Sequence, residues 1–363
     1  MKYTIEVTTQ AKKALEAVAE VYDHIFLYKE AQMGACAIDA TGDPLPKETI
    51  EICRNADAIL FGAIGDAKYD NDPTLRIRPE QGLLNLRKEL DVFCNVRPIK
   101  AYPILLKNSP LKKEIISGTD IAIFRELTGG IYFGRKEISK DGKQAYDACA
   151  YSVDEITRVT HLAFEAAQIR KKKVTLVDKA NVLETSRLWR KTVVEIAKQY
   201  KDVELEVLLI DNAAMQIVLN PKQFDVILTE NLLGDVMSDV ACAIGGSIGV
   251  LASSSIGEKN AMFEPIHGSY HQAKGKDIAN PLASILSAAM MLEHLGLLDE
   301  ADAIERAVEK SLDLGLTTKD LKGVGQYSAS TSKVGDFIAD YIQNQEDSSM
   351  NFKNIYMGQS TII

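Results

Sequence analysis

The chain has 363 residues, of which 46% are hydrophobic and 26% are charged, and its formal net charge is −9. These values indicate a globular protein large enough for two domains, and the acidic balance argues against a general nucleic-acid binder. No apolar run reaches membrane-spanning length, and the amino terminus carries no signal region. Five cysteines without CxxC spacing predict reduced core thiols in a cytoplasmic protein.

The first part of the chain alternates apolar, β-branched runs with amphipathic segments. In chain order we predict a strand over 1–7, a helix over 9–21, a strand over 24–28, a helix near 47–55 and a buried strand over 56–62. The last strand leads into a glycine-rich loop. This order of elements indicates a largely parallel α/β sheet, with ligands at the carboxyl ends of its strands.

Residues 78–98 predict a helix that turns into a strand. Leu83, Leu84 and Arg87 follow the spacing i, i+1, i+4, so one helix face carries two apolar side chains and a guanidinium. Arg97 stands in the strand that follows. This part of the chain therefore combines apolar and cationic groups in a small region.

The strand predicted over 121–126 contains a third arginine, Arg125. A polar β-hairpin is predicted over 135–151, with its turn at 141–142. Because so polar a hairpin has little of its own to bury, we expect it to serve as an arm toward a second subunit.

The remainder of the chain continues the alternation of strands and helices and ends in a polar segment. We predict helices over 154–170, 184–200, 282–295 and 299–313, a strand over 174–181, a polar loop over 267–280 and a polar, fraying tail after about residue 340.

Two aspartates, Asp235 and Asp239, follow the buried strand predicted over 224–228. At a spacing of four, a helix projects both carboxylates from one face, where they repel unless a cation lies between them. Asp211 follows another apolar run, and three carboxylates with no nearby His or Cys suit Mg²⁺ or Mn²⁺. Taken alone, the Asp235–Asp239 pair is more often a solvated helix face; its neighbours in sequence favour the metal site.

The three arginines would form a di-acid site if they converged with this metal, since arginine binds carboxylates in bidentate fashion. Lys179 follows a buried strand, where desolvation can lower a lysine pKa into the range of a base. Tyr132, flanked by glycines, is a candidate proton donor. Each of these side chains alone is more often an ordinary surface or half-buried group. The metal would act as a Lewis acid on a hydroxyl and its adjacent carboxylate.

Four long stretches, taken in order, closely resemble the 3-isopropylmalate dehydrogenases; they are residues 78–87, 125–134, 178–189 and 229–235. That family belongs to the β-decarboxylating dehydrogenases, with isocitrate, homoisocitrate and tartrate dehydrogenases. The resemblance covers roughly residues 10–340. It implies metal-dependent, NAD-linked oxidation of 3-isopropylmalate at C2, followed by loss of CO₂ to give 2-oxoisocaproate, in leucine biosynthesis.

The resemblance also implies an α/β, isopropylmalate dehydrogenase-like two-domain fold, which is not a GxGxxG Rossmann fold. A first, cofactor-binding domain would contain both chain ends, over 1–92 and 246–342. A second domain over 93–245 would carry the dimer interface and the hairpin arm, and 343–363 would form a polar tail. The implied assembly is a homodimer with shared active sites, without nucleic-acid or membrane partners.

The resemblance assigns roles to the matched residues. Tyr132 would protonate the enolate, and Lys179 would be the base for hydroxyl oxidation. Substrate would contact Arg87, Arg97, Arg125, Asp211, Leu83 and Leu84. The metal ligands would be Asp211, Asp235 and Asp239, with Lys179 and Asp211 reaching into the partner subunit's site. Glu80 would share the leucine face around the isopropyl group and would contact NAD together with His267, Gly268, Ser269, Gln272 and Asn280.

Three positions depart from the family pattern. The Gly-Asp-Gly-Ile-Gly-Pro-Glu turn that normally follows the first strand is missing, which predicts weaker NAD binding and lower stability. Gln272 stands where the family has a ribose-binding aspartate, which predicts a preference for NAD with poorer exclusion of NADP. The segment 65–67, Gly-Asp-Ala, replaces the usual Gly-Gly-Pro.

Two further interpretations remain open on the sequence. One is an isocitrate, homoisocitrate or tartrate dehydrogenase, against which the apolar pair Leu83–Leu84 argues, because a polar substituent would favour a polar group there. The other is a catalytically impaired dimeric paralogue, supported only by the missing glycine turn.

Overall fold

The computed structural model describes residues 5–70, 75–321 and 328–344. The chain divides into two compact units, one made of residues 1–86, 247–253 and 262–363 and the other of 87–246 and 254–261. The chain passes between them four times, once within helix α5 (Pro79–Glu89).

The first unit is rich in helices. Its helices are α1 (Ile5–Val21), α2 (Ala35–Thr41), α3 (Lys47–Arg54), α4 (Ala67–Asp70), α11 (Leu282–His294), α12 (Leu298–Asp313) and α13 (Thr331–Gln343). Strand β1 (Ile59–Leu60) runs parallel to β10 (Ala261–Pro265), which neighbours β9 (Ala252–Ile256). Helix α1 packs against α11 and α13, and these contacts bury the apolar face of α1.

The predicted first strand is wrong for residues 5–7, which form the first turn of α1; residues 1–4 lie outside the described part of the chain. Val7 is 4% exposed and begins a buried stripe that continues through Ala11, Ala14 and Val18. This spacing of three and four residues is helical. Packing along the stripe therefore overrides the β-branched character of the first residues.

The strand predicted over 24–28 is also wrong, because that segment pairs with no other strand. His24 closes α1 by donating its backbone N–H to Ala19, and its Nε2 lies 2.6 Å from Oε1 of Glu300. Ile25 and Leu27 are each 89% exposed. A short apolar run forms a strand only where a neighbouring strand pairs with its backbone.

The second unit contains a sheet with helices on both faces. Its strand order is β9-β2-β3-β8-β6-β7, with β2 (Cys94–Lys100), β3 (Asp120–Glu126), β6 (Lys173–Asp178), β7 (Glu204–Leu209) and β8 (Val226–Thr229). Its helices are α6 (Lys113–Ile116), α7 (Val153–Ile169), α8 (Glu184–Ala197), α9 (Ile210–Leu219) and α10 (Asn231–Gly245). The core on one face joins α7 and α8 to alternate strand residues such as Phe124 and Leu228.

The prediction of a largely parallel sheet needs one correction. Strands β3, β8, β6 and β7 are parallel, but β2 runs antiparallel to both β3 and β9. The beginning of β2 therefore lies at the same edge as the carboxyl ends of β3 and β8. Arg97, in the middle of β2, and Arg125, near the end of β3, come together for this reason.

Several other predictions are confirmed. The polar hairpin consists of β4 (Lys136–Ile138) and β5 (Ala145–Asp147), and Gly142 in its turn has a φ of 68°. The helix predicted over 154–170 is α7 (Val153–Ile169), which begins with a capping box between Ser152 and Glu155. The polar tail predicted after about residue 340 begins too early, because α13 continues to Gln343; residues 345–363 lie outside the described part of the chain.

All five cysteines are free thiols, but Cys149 is exposed and so is not a core residue. Across the described ranges, we find no helix both long and apolar enough to span a membrane.

Candidate active site

The candidate site begins with a row of residues across the sheet of the second unit. Arg125 on β3 lies opposite Asn95 on β2 and Thr229 on β8. These positions alternate with those that face α7 and α8, so their side chains lie on the side of α10. Arg97 stands two residues after Asn95 and shares that face.

Asp235 accepts from two site residues that the sequence predicted separately. Its Oδ1 accepts from Nη1 of Arg125, and its Oδ2 accepts from the Tyr132 hydroxyl at 2.9 Å. The guanidinium of Arg125 also lies 5.6 Å from the centre of the Tyr132 ring. The predicted clamp, acid and metal ligand therefore form one cluster.

Arg97 lies between the two aspartates of α10. Its Nη2 is 3.4 Å from Oδ1 of Asp235, and its Nη1 is 3.5 Å from Oδ1 of Asp239. The same guanidinium donates to the hydroxyl of Ser238 at 2.5 Å. The positive charge expected between the carboxylates of Asp235 and Asp239 is therefore supplied, in this structure, by Arg97 of the same chain.

Gly234 allows α10 to approach β3 this closely. A Cβ at this position would lie 2.8 Å from Cβ and Cγ of Arg125, closer than van der Waals contact permits. Any larger residue would push the helix away and separate Asp235 from Arg125. The glycine before the aspartate therefore has a packing reason.

The contacts within the cluster shift the pKa values of Arg125, Tyr132 and Asp235. Burial, together with the nearby charges of Arg97 and Arg87, lowers the pKa of Arg125 to about 10 although Asp235 opposes the shift. Burial and the hydrogen bond to Asp235 raise the pKa of Tyr132 to about 12. Burial acts to raise the pKa of Asp235, but Arg125, Tyr132 and Arg97 outweigh it and the pKa is lowered. Asp235 is therefore ionised and Tyr132 protonated at neutral pH.

Lys179 and Asp211 form a separate pair. Nζ of Lys179 lies 2.7 Å from Oδ1 of Asp211, which is two-thirds exposed, and this contact lowers the pKa of Asp211. Among the described residues, no three His, Cys, Asp or Glu side chains group as they would around a metal. The carboxylate of Asp211 therefore does not join Asp235 and Asp239 within one chain.

Helix α5 carries the predicted apolar face and the third arginine. Leu83 is buried, whereas Leu84 and Arg87 are half-buried. Arg87 is near enough for its charge to lower the pKa of Arg125. The guanidiniums of all three predicted arginines thus act in one electrostatic environment.

The predicted cofactor residues lie in the first unit. Ser269 donates its backbone N–H to the carbonyl of Ile64 at 3.3 Å, so the loop around Ser269 lies beside the glycine-rich loop. A Cβ on Gly65, whose φ is +108°, would lie 3.3 Å from Oε1 of Glu80. Glu80 and Ser269 therefore border the same short loop.

The other predicted cofactor residues differ in their exposure and in their hydrogen bonds. Nδ1 of His267 lies 3.1 Å from the carbonyl of Gly268, and burial lowers the pKa of His267. Gln272 and Gly268 are exposed. The carboxamide of Asn280 donates to Asp320 at 3.0 Å and accepts from the backbone of Leu282.

The sequence did not single out the asparagines that hold the two arginines. Asn95 accepts from Nε of Arg97 at 2.8 Å, and Asn231 accepts from Nε and Nη2 of Arg125 at 3.0 and 2.7 Å. The one available signal was the position of Asn231, about one helical turn before Asp235. Asn95 lies on the same strand face as Arg97, but a shared face does not by itself predict the hydrogen bond between the two side chains.

The sequence was also compared with known proteins. Residues 4–338 match the family described as isocitrate/isopropylmalate dehydrogenase. The chain therefore belongs to this family of dehydrogenases.

Individual relatives within this family that are similar to the chain are named 3-isopropylmalate dehydrogenases. The 3-isopropylmalate dehydrogenase of Wolinella succinogenes is 51% identical over 338 residues, which are 93% of this chain and 94% of the relative. That of Aquifex aeolicus is 49% identical over 346 residues, which are 94% and 95% of the two chains.

Solved structures agree at the level of the fold. The isocitrate dehydrogenase of Methylococcus capsulatus superposes with a TM-score of 0.84 at 31% identity, covering 94% of this chain and 98% of that one. A β-decarboxylating dehydrogenase of Thermococcus kodakarensis gives 0.77 at 34% identity, covering 95% and 96%. The two-domain α/β fold predicted from the sequence is thereby confirmed.

Proposed function

We propose that this protein oxidises and decarboxylates 3-isopropylmalate to 2-oxoisocaproate with reduction of NAD, as a step of leucine biosynthesis in the cytoplasm. The observation that carries the proposal is the cluster of Arg97, Arg125, Tyr132 and Asp235 in a chain about half identical to 3-isopropylmalate dehydrogenases. Such a cluster offers two guanidinium groups to bind a dianionic substrate and a tyrosine to donate a proton to it.

Arginines would bind and orient the substrate. Arg97 and Arg125 are nearly buried, with side chains 11% and 4% exposed, so their charges are poorly screened and attract carboxylates strongly. Arg87 adds a third positive charge. Leu83 and Leu84 on the same helix as Arg87 would accept the branched alkyl group, since apolar surface removed from water is stabilising.

Lys179 and Tyr132 would move the two protons. Lys179 would act as the base that takes the hydroxyl proton at C2, as the C2 hydrogen leaves with its electron pair to the nicotinamide cofactor. The C3 carboxylate then leaves as CO₂, and its bonding pair forms the enolate of the 2-oxo acid. Tyr132 gives its proton to C3, and the tyrosinate regains a proton from water. Because its pKa is raised to about 12, Tyr132 is protonated at neutral pH and can therefore act as the acid.

Asp235 and Asp239 would hold Mg²⁺ or Mn²⁺ together with Asp211 of a second copy. Two carboxylates one helical turn apart and a third exposed one supply only oxygen, the donor set of hard divalent cations. When bound, the cation would supply Lewis acidity toward the substrate hydroxyl, and NAD would supply the hydride acceptor. Glu80, His267, Gly268, Ser269, Gln272 and Asn280 would contact NAD.

A homodimer would complete each site. Lys179 and Asp211 pair with each other and not with the Asp235 cluster of their own chain. Met215 and Leu219 on α9 and Val236 on α10 are each more than half exposed, and α9 packs against α10. Covering these apolar side chains with the same helices of a second copy would bring Lys179 and Asp211 to the partner's cluster.

The activity test is NAD reduction by the purified protein with 3-isopropylmalate, with and without a chelator. We expect NADH formation that needs Mg²⁺ or Mn²⁺. Equal rates with isocitrate would assign the chain to another branch of the family, and no reaction with any β-decarboxylating substrate would overturn the proposal.

Shared sites are tested by mixing two inactive variants, Tyr132→Phe and Lys179→Ala. After exchange of subunits, each mixed dimer contains one site with both native residues, so about a quarter of wild-type activity should return. No recovery, with subunit exchange verified by mass, would mean that Lys179 serves its own chain.

A further inference from the structure

We propose that Asn231 is a positioning residue that holds the substrate clamp Arg125 and the turn carrying Tyr132 in one fixed relation. The proposal rests on the proposed function and adds to it a residue that contacts neither substrate nor metal. Asn231 is the first residue of α10 and is fully buried.

The carboxamide oxygen of Asn231 fixes one edge of the Arg125 guanidinium. Oδ1 accepts from Nε at 3.0 Å and from Nη2 at 2.7 Å. With that edge occupied, Nη1 is left to reach Asp235. A guanidinium is planar, so fixing one edge sets the direction of the other donors.

The carboxamide nitrogen of Asn231 fixes the turn. Nδ2 donates to the carbonyl of Gly129 at 3.0 Å, three residues before Tyr132. The N–H of Gly129 donates to Oε2 of Glu126 at 2.8 Å, so both polar groups of that residue are held. Gly130, with a φ of 72°, then directs the chain into the short helix that presents Tyr132.

The orientation of the carboxamide follows from its partners. Arginine only donates and a carbonyl only accepts, so Oδ1 must face Arg125 and Nδ2 must face Gly129. The backbone N–H of Asn231 donates to the Tyr151 hydroxyl at 3.0 Å, which fixes the residue from a third direction. One side chain therefore links the clamp to the acid.

Asn95 provides a matched control. It is also fully buried, its Oδ1 accepts from Nε of Arg97, and its Nδ2 donates to a backbone carbonyl, that of Ser254, at 2.9 Å. The carbonyl it holds belongs to β9 and not to the turn of Tyr132. Replacing either asparagine by aspartate makes the same chemical change, since the acceptor remains and the donor is lost.

The experiment compares Asn231→Asp with Asn95→Asp. In Asn231→Asp a carboxylate faces the Gly129 carbonyl, so the turn should be released while Arg125 stays bound. We expect kcat to fall roughly tenfold with KM within about threefold of wild type, because misplacing a reacting group lowers kcat. Asn95→Asp should change KM more than kcat. Equal effects of the two variants on both constants would overturn the proposal.

A second measurement does not depend on activity. Amide hydrogen exchange should become at least about fivefold faster for the N–H groups of Phe133 and Gly134 in Asn231→Asp, since both donate to Gly130 within the turn. In Asn95→Asp these amides should exchange as in wild type. Unchanged exchange in Asn231→Asp would overturn the positioning role. An inactive wild type with the expected exchange would overturn only the proposed function.

Discussion

The hydroxyl of Tyr132 donates to Oδ2 of Asp235 at 2.9 Å, so a direct hydrogen bond joins the proposed acid to a proposed metal ligand. Oδ1 of the same carboxylate accepts from Arg125. Asp235 is therefore at once a counter-charge for a buried arginine and an acceptor for the acid, and its substitution should affect more than metal binding.

Asp235→Asn should nearly abolish turnover and weaken Mg²⁺ or Mn²⁺ binding. From the spacing of the carboxylates alone, this substitution would relieve their repulsion and stabilise the metal-free protein. The contact between Asp235 and Arg125 predicts instead that the substitution is destabilising. Breaking a buried ion pair leaves an uncompensated charge, and because Asp235 is about one-third exposed we expect a loss of about 2 kcal/mol.

Asp239→Asn is the matched control, because Asp239 is 70% exposed on the same helix face. Its loss should change stability by less than about 0.5 kcal/mol while still weakening metal binding. Denaturant unfolding of both metal-free variants measures the difference; equal stabilities would contradict the role of Asp235 as counter-charge.

Tyr132→Phe should lower kcat by roughly 10²–10⁴-fold, the usual contribution of a positioned general acid. The variant should also lose deuterium incorporation at C3 of 2-oxoisocaproate in D₂O, followed by NMR with metal present. This readout isolates the proton step from NAD reduction, so normal exchange in the variant would remove Tyr132 from the mechanism.

The raised pKa of Tyr132 has a pH consequence of definite sign. With a folded pKa of about 12, kcat should not fall through ionisation of Tyr132 as the pH passes the usual tyrosine value near 10. The unfolded chain releases the tyrosine proton at a lower pH than the folded chain does. The free energy of unfolding therefore decreases as the pH rises from about 10 to about 12, and below about pH 10 this effect is absent. Unfolding of wild type and Tyr132→Phe across this window measures the effect, which should be smaller in the variant.

Substrate choice should depend on Leu84, the half-buried member of the leucine pair. We expect kcat/KM for 3-isopropylmalate to exceed that for isocitrate at least about tenfold, since one or two methyl-sized groups are worth about 1–3 kcal/mol. Leu84→Ser should reduce that ratio, whereas Leu84→Met should largely keep it. Equal kcat/KM values in wild type would contradict this prediction.

Cofactor choice should depend on Gln272, which is exposed and neutral. We expect a preference for NAD, and Gln272→Asp should increase it because a carboxylate repels a 2′-phosphate. Steady-state kinetics with both cofactors measures the ratio. A wild-type preference for NADP would point instead to Lys274 and Lys276 of the same loop.

The sequence by itself determined much of the element order and the residue types of the site. Helices such as α7 and α12 can be recognised because burial on one face repeats every 3.6 residues, whereas β3 is buried on both faces and is recognised as a short, continuous apolar run. The charges that occupy the site could be named for the same reason: arginines and aspartates at element ends stand out against that periodicity.

The missing family turn could also be seen in the sequence, but its structural outcome could not. Only packing against α11 and α13 decides that residues 5–7 join the helix, and only the absence of strand pairing leaves Ile25 and Leu27 exposed. Local patterns give a preference, and long-range contacts decide between a helix and an unpaired segment.

Which site residues meet was decided by the tertiary structure alone. The antiparallel direction of β2 brings Arg97 to Asp235, 138 residues away, and helix α10 brings Asn231 to Arg125, 106 residues away. Periodicity records how deeply a side chain is buried but not which group it bonds. Hydrogen-bond partners between distant residues depend on strand direction, register and the close approach that Gly234 permits.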